Sequence, residues 1–84
     1  MKAIINNVNI RGCERKAPKK SGQSDYLLVR FEDETGKACE LVDKDLSRQE
    51  YYKRDTDGTL YINIELGKYT TIRIIDFIIS KPKK

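Results

Sequence analysis

Residues 60–66 are Leu-Tyr-Ile-Asn-Ile-Glu-Leu, and this stretch decides the fold because its aliphatic residues fall on every second position. Such alternation is typical of a strand with one buried face, and it leaves Tyr61 on the opposite face. Asp57-Gly58 before the stretch predicts a tight turn, and Gly67 after it ends the strand. We therefore expect the chain to be built from strands.

Further strands are predicted on both sides of this stretch, at 3–11, 25–32, 37–42 and 69–79. Asp-Glu-Thr-Gly at 33–36 favours a hairpin turn. The segment Asp43 to Asp55 is the only plausible helix, and Ser47 with Glu50 matches a capping box. Five strands with an excursion after the third predict an all-β, five-stranded OB-like Greek-key barrel with at most one short helix. An SH3-like barrel or an open five-stranded sheet would also fit.

The chain has 84 residues, so we expect a single OB-like domain at 1–84 with a core near the lower limit for independent stability. Its charge is segregated along the sequence. Residues 1–24 carry six bases and one acid, residues 25–57 carry six bases and ten acids, and residues 58–84 carry five bases and two acids. If the two basic ends meet in the fold, they form one positive face.

A basic segment at 11–24 follows the first predicted strand, and Glu14 is its only acid. Pro18 and Gly22 break up regular structure there, which predicts an exposed, mobile loop. Like charges crowded on such a loop repel one another, and an arriving polyanion would neutralise them. A basic tail at 81–84 is also expected to be disordered. The bases of the loop are Arg11, Arg15, Lys16, Lys19 and Lys20.

The last strand has apolar residues on both faces, of which Ile72, Ile74 and Ile78 form one. Strict alternation would also bury Asp76, and a buried carboxylate needs a partner, so a bulge near Asp76 is expected. Arg73 lies on the other face. The apolar residues there either pack against the loop or the helical segment, or form the contact of a symmetric homodimer, which we favour. They are Ile75, Phe77 and Ile79.

The strand at 25–32 places an aromatic ring beside a base. Its better core set is Leu27, Val29 and Phe31, which turns Tyr26 and Arg30 outward. Outward rings beside guanidinium groups suit single-stranded nucleic acid, because unpaired bases stack on the rings while the cations hold phosphates. The candidate nucleic-acid-binding residues are Arg11, Arg15, Lys16, Lys19, Lys20, Tyr26, Arg30, Tyr61 and Arg73.

Catalytic chemistry finds little support in the sequence. There is no histidine, and Cys13 and Cys39 have neither zinc spacing nor the pattern of a disulfide framework. The clusters of acidic residues fall in predicted turns, where solvent-exposed carboxylates are expected. They are Glu32-Asp33-Glu34, Asp43-Asp45 and Asp55-Asp57. We therefore predict no enzymatic activity, no cofactor and no metal. No apolar run approaches the roughly 18 residues of a membrane span, and reduced thiols favour a cytoplasmic protein.

The chain resembles the small OB-fold single-stranded DNA-binding proteins of filamentous phages, rolling-circle plasmids and conjugative elements. The resemblance lies in its size, in Lys-Lys-Ser-Gly at 19–22 before Tyr26, and in Leu-Gly-Lys-Tyr-Thr-Thr-Ile-Arg-Ile-Ile-Asp-Phe at 66–77. It implies a dimer that coats single strands, with Tyr26 on bases. The residues implied on phosphates are Arg15, Lys16, Lys19, Lys20 and Arg30.

The function predicted from these features is sequence-tolerant binding of single-stranded DNA during the replication of a phage or mobile element. RNA is not excluded, since nothing in the sequence reads a 2′-hydroxyl. The alternative is a protein-interaction module, such as a phage-encoded inhibitor or replication accessory subunit, that docks a partner through the acidic segment 43–57 or the basic arm. The acidic segment departs from the family pattern and leaves the role of Tyr51 and Tyr52 open.

Overall fold

A computed structural model describes residues 1–19 and 22–80 of the chain. Strands dominate these residues, and the all-β prediction is confirmed. The only helix in the described part is a short 3-10 helix at Leu46–Tyr51. The strands are β1 (Lys2–Lys16), β2 (Tyr26–Glu32), β3 (Ala38–Asp43), β4 (Asp57–Glu65) and β5 (Thr71–Ile79).

The five strands close into a barrel in the order β1-β2-β3-β5-β4, with β4 pairing back onto β1. Every neighbouring pair is antiparallel except β3 and β5. These two run parallel and meet only through Val42 with Arg73 and Asp43 with Ile74. A five-stranded sheet closed by so short a seam agrees with the OB-like Greek-key barrel that the element order predicted.

The barrel interior is filled by alternate residues of the strands. The core set predicted for β2, Leu27, Val29 and Phe31, is confirmed, because all three side chains are buried. The partners of that set come from the other strands and from the end of the short helix. They are Val8, Ile10, Tyr52, Leu60, Ile62, Ile74 and Phe77.

A bulge interrupts β5 where one was expected. The register of β5 against β4 shifts at Ile75, which has no partner there. Asp76 is thereby exposed to solvent, as predicted. The extra residue also reverses the alternation that follows it, so that Phe77 is buried and Ile78 is exposed. The predicted assignment of these last two side chains was therefore wrong.

Strand β1 is longer than the sequence predicted. It ends at Lys16, because after a bulge at Arg11 the strand resumes a regular antiparallel pairing with β2. The predicted basic loop at 11–24 is thus wrong in its first part, since those positions belong to β1. The connection between the two strands begins only at Ala17. Lys20, Ser21 and the tail 81–84 lie outside the described residues.

The turn before β4 also differs from the prediction. It lies at Lys53–Thr56, where the Thr56 N–H donates to the Lys53 carbonyl at 3.1 Å. Asp57 and Gly58 instead begin β4. Gly58 is buried, and a Cβ at this position would overlap the ring of Phe77. The glycine is therefore required by packing and not by a turn.

The cap of the short helix lies two residues before Ser47, the predicted cap. Asp45 caps the helix, because its Oδ1 accepts the Ser47 N–H at 3.0 Å. The carboxylate of Asp43, predicted to be solvated in a turn, is fully buried. It accepts hydrogen bonds from both Arg48 and the Tyr52 hydroxyl. This network holds the short helix against the barrel. The Tyr52 ring is buried in the core and is therefore not part of any exposed surface.

Candidate nucleic-acid interface

Strands β1, β2 and β3 present a continuous outer surface, because paired residues on neighbouring strands point to the same side. Three rungs cross it. Tyr26 pairs with Lys16, Leu28 lies between Glu14 and Val42, and Arg30 lies between Gly12 and Glu40. We call this surface the outer face; its side chains are Glu14, Lys16, Tyr26, Leu28, Arg30, Glu40 and Val42. Tyr26 and Arg30 point outward, as predicted.

A first groove of about 670 Å³ lies at one end of the outer face, above the seam between β3 and β5. Pairing with Val42 brings Arg73 onto this side of the barrel. The connection between β1 and β2 forms one wall, through Pro18 and Ser24. The floor combines the half-buried Tyr26 ring with aliphatic side chains. Among the described residues, Lys44 and Arg73 are the basic residues that line this groove. The main lining residues are Pro18, Tyr26, Val42, Lys44, Ile72 and Arg73.

A second groove of about 510 Å³ lies at the other end of the outer face. Arg30 lines it together with Glu40 of β3, and Arg11 reaches it from the bulge in β1. Tyr26 and Arg30 are four residues apart on β2, a distance of about 13 Å. The two grooves therefore lie on one surface and are joined across Leu28.

Arg30, which lines the second groove, is the centre of an ion-pair network on the outer face. Its Nε donates to Glu40 at 2.7 Å, and its Nη1 donates to Glu14. Lys16 also approaches Glu14, with 3.1 Å between Nζ and the carboxylate oxygen. Hydrogen bonds from Arg30 and then from Lys16 hold the pKa of Glu14 below its usual value. The carboxylate stays ionised at neutral pH.

Other bases of the predicted site are also paired with acids. The prediction of a segment crowded with unneutralised positive charge is therefore wrong for Arg11 and Arg15. Each pair lies at the surface, where an ion pair contributes only about 0–1 kcal/mol. The pairs are Arg11 with Asp55 (2.9 Å), Arg15 with Asp25 (2.9 Å) and Arg73 with Glu65 (3.4 Å).

The structure brings together part of the predicted set. Lys16, Tyr26 and Arg30 share the outer face, Arg73 joins them at the first groove, and Arg11 joins them at the second.

The remaining predicted residues lie elsewhere. Arg15 precedes Lys16 on β1 and turns toward Asp25. Lys19 is exposed in the connection between β1 and β2, whereas Lys20 lies outside the described residues. Tyr61 lies on β4 between Ile4 and Asp76, and it lines neither groove.

Several residues of the grooves were missed by sequence reasoning. Val42 and Lys44 become neighbours of Arg73 only through the parallel seam, which local alternation does not predict. Ile72, predicted in the core, is 38% exposed and lines the first groove. Tyr69, in the connection between β4 and β5, is 78% exposed but lines neither groove.

Metal-ligating side chains and cysteine thiols are two further kinds of potentially reactive group. Within 1–19 and 22–80, no group of three or more metal-ligating side chains is found. Cys13 and Cys39 are both free and half-buried. Burial, followed by the nearby Asp43 and Glu14 carboxylates, raises the pKa of Cys13, which disfavours the reactive thiolate.

No helix in the described part of the chain has the length and apolar character needed to cross a bilayer. Comparison of the chain with protein-family models, with curated proteins and with solved structures gave no match. Functional inference therefore depends on the geometry of the two grooves.

Proposed function

We propose that this protein binds single-stranded DNA on its outer face, with little dependence on sequence. The observation that carries the proposal is the first groove, where the half-buried Tyr26 ring lies beside Lys44 and Arg73. A base that stacks on an aromatic ring gains about 1–3 kcal/mol, and flanking cations neutralise phosphates. The resemblance to phage and mobile-element proteins supports a role in coating or protecting strands during replication.

An unpaired strand fits this surface better than a duplex. The ring of Tyr26 and the side chains of Val42 and Ile72 form an apolar floor in the first groove. Such a floor offers a place for the flat face of a base, which is exposed in a single strand and hidden in a duplex. Single-stranded RNA presents the same bases and phosphates, so it enters the test as a second ligand.

The basic side chains of this surface can still bind phosphates, although they form ion pairs with acidic side chains. Arg73 and Glu65 are separated by 3.4 Å, and both side chains are about half exposed, so their mutual attraction is weak. A phosphate can accept two parallel hydrogen bonds from a guanidinium group, whereas Glu65 approaches Arg73 through a single oxygen at 3.4 Å. Phosphates can thus replace the carboxylates at small cost.

The proposal is tested by titrating the protein with fluorescently labelled single-stranded DNA, duplex DNA and single-stranded RNA of equal length. We expect tight binding to the single strands, weak binding to the duplex, and a steep loss of affinity when the salt concentration rises. Because the chain contains no tryptophan, quenching of tyrosine fluorescence gives a second readout. Equal binding to duplex and single strand would contradict the proposal.

A protein-interaction module is the second candidate function. The observation in its favour is a group of exposed isoleucines on the side of the barrel that β4 forms with β1 and β5. If this candidate is correct, affinity capture from a lysate returns a protein that nuclease treatment does not release. Ile4 and Ile78 form the group.

A further inference from the structure

A third groove of about 390 Å³ lies beyond the seam between β3 and β5, on the side of the short helix. Strand β3 ends at Asp43, whereas β5 continues past Ile74, its last residue in the seam, to Ile79. The two segments separate there, and the groove occupies the space between them. The groove therefore exists because the parallel pairing ends after two residue pairs.

The third groove is continuous with the first, because Lys44 and Arg73 line both. Arg73 lies in the seam opposite Val42, and Lys44 directly follows the last seam residue of β3. Glu65, the ion-pair partner of Arg73, lines neither of these grooves. A chain that leaves the first groove over the seam therefore passes beside two cations.

The third groove presents a net positive charge. The carboxylate of Asp43 is fully buried and is paired with Arg48 at 2.6 Å, so these two charges compensate each other. Lys44 and Arg73 remain, with Asp45 as the acid beside them. Among residues 1–19 and 22–80, Lys44 forms no ion pair, so its ammonium group is available to a phosphate.

The route from the first groove to the second is less favourable for a polyanion. It crosses Leu28 beside the ionised Glu14, and it ends where Glu40 lies next to Arg30. The second groove itself is lined by two arginines and two glutamates, so its charges balance. Phosphates are repelled by the carboxylates on this route and are attracted to the positive charge of the third groove.

We infer that a bound single strand runs from the first groove over the seam into the third groove, and that Lys44 and Arg73 hold its backbone where it crosses. The inference rests on the proposed function and adds the path of the strand to it. Ile75 gives the third groove an apolar side, because the bulge leaves this residue without a partner and 39% exposed. An unpaired base can bury its flat face against such a side chain.

The experiment introduces charges of both signs into each of the two competing routes. Ile75→Lys and Ile75→Asp alter the third groove, whereas Ala38→Lys and Ala38→Asp alter an exposed position in the second. Each variant is titrated with the same labelled single-stranded DNA at low salt. The readout at each position is the affinity of the Lys variant divided by that of the Asp variant, so that a general effect of replacing the residue cancels.

We expect a ratio of at least about tenfold at Ile75, because phosphates lie close to the new charge. At Ala38 we expect about twofold, which reflects only the weak attraction of a polyanion to a distant cation. Equal ratios at the two positions, or a larger ratio at Ala38, overturn the inferred path while the proposed function stands. Failure of the wild-type protein to bind single strands at low salt contradicts the proposed function itself.

Discussion

Tyr26 is the residue on which nucleic-acid binding depends most directly. Tyr26 is the first residue of β2, and its ring lies beside Lys16 and in the floor of the first groove. Tyr26→Ala should weaken binding of single strands by about 1–3 kcal/mol and leave the salt dependence nearly unchanged, because stacking involves no counterion. Titrations at several salt concentrations measure both quantities.

Tyr61→Ala is the control for that change. Tyr61 lies on β4 beside Ile4, so its removal should leave the affinity within about 0.5 kcal/mol of wild type. Weaker binding by Tyr61→Ala together with unchanged binding by Tyr26→Ala would show that the strand binds on another side of the barrel.

Substitution of basic side chains should affect binding differently from removal of the Tyr26 ring. Lys19→Ala combined with Lys20→Ala should weaken binding to all sequences alike. It should also reduce the log-log salt slope by about 0.7 for each phosphate that the variant no longer neutralises. Lys44→Ala, in the first groove, should act in the same direction. An unchanged slope in both variants would show that these lysines do not bind phosphates.

Tyr52 links stability to alkaline pH. Burial, and then its hydrogen bond to Asp43, raise the pKa of the Tyr52 hydroxyl far above its ordinary value near 10. The unfolded chain loses this proton above about pH 10 while the folded protein keeps it, so stability present at lower pH is lost as the pH rises. Tyr52→Phe should flatten this decline and cost about 1–3 kcal/mol at neutral pH.

Urea denaturation at pH values between neutral and alkaline measures both effects. Tyr51→Phe is the control, because Tyr51 is exposed and its change should leave the pH dependence as it is in the wild type. If Tyr52→Phe declines with pH as steeply as the wild type does, the buried hydroxyl is not the group responsible.

At the scale of elements, the packing of β4 against β5 depends on Gly58. A Cβ there would meet both the Phe77 ring and the carbonyl oxygen of Ile78. Gly58→Ala should therefore destabilise the protein by about 1–3 kcal/mol through overpacking. Thermal or urea unfolding checks this. Gly12→Ala is the control, since nothing lies within 4 Å of the added atom, and its stability should stay close to that of the wild type.

The elements also show how far sequence reasoning reached. Period-two alternation predicted the strands and the buried face of β2, because each depends on neighbours in the chain. The bulge of β5 was expected from the cost of burying Asp76, but its effect on Phe77 and Ile78 was not followed through. The end of β1 was misplaced at Arg11, because a bulge there lets the strand continue after the first basic residue.

The candidate site was harder to predict than the strands. The outward orientation of Tyr26 and Arg30 was predicted correctly, since their side of β2 follows from the core set. The grooves were not predicted, because the parallel pairing of Val42 with Arg73 joins segments about thirty residues apart, and no local sequence pattern indicates such a pairing. Ion pairing of the arginines was also missed, since it depends on which acid lies opposite each base across the sheet.

For the whole molecule, the predicted homodimer needs a different surface, because Phe77, which was expected in its contact, is buried. Ile4 pairs with Tyr61, and Ile78 pairs with Thr59, so these four side chains share the outside of β1, β4 and β5. Ile4 and Ile78 are each about half exposed. We predict a dimer through this surface, which leaves the two grooves open.

Analytical ultracentrifugation measures the oligomeric state. Ile78→Asp should convert the dimer to a monomer without unfolding it, because the side chain is not part of the core. Leu66→Asp, which alters a more exposed apolar residue in the connection between β4 and β5, should remain dimeric. A wild-type protein that remains monomeric at high concentration would contradict the predicted dimer.

The seam between β3 and β5, only two residue pairs long, lies directly below the first groove. A polynucleotide resting on Val42 and Arg73 would bridge both sides of that junction and oppose its separation. Ligand binding and the integrity of the closed sheet are then coupled. We expect a bound oligonucleotide to raise the melting temperature and to slow amide hydrogen exchange most strongly at residues 42–43 and 73–74.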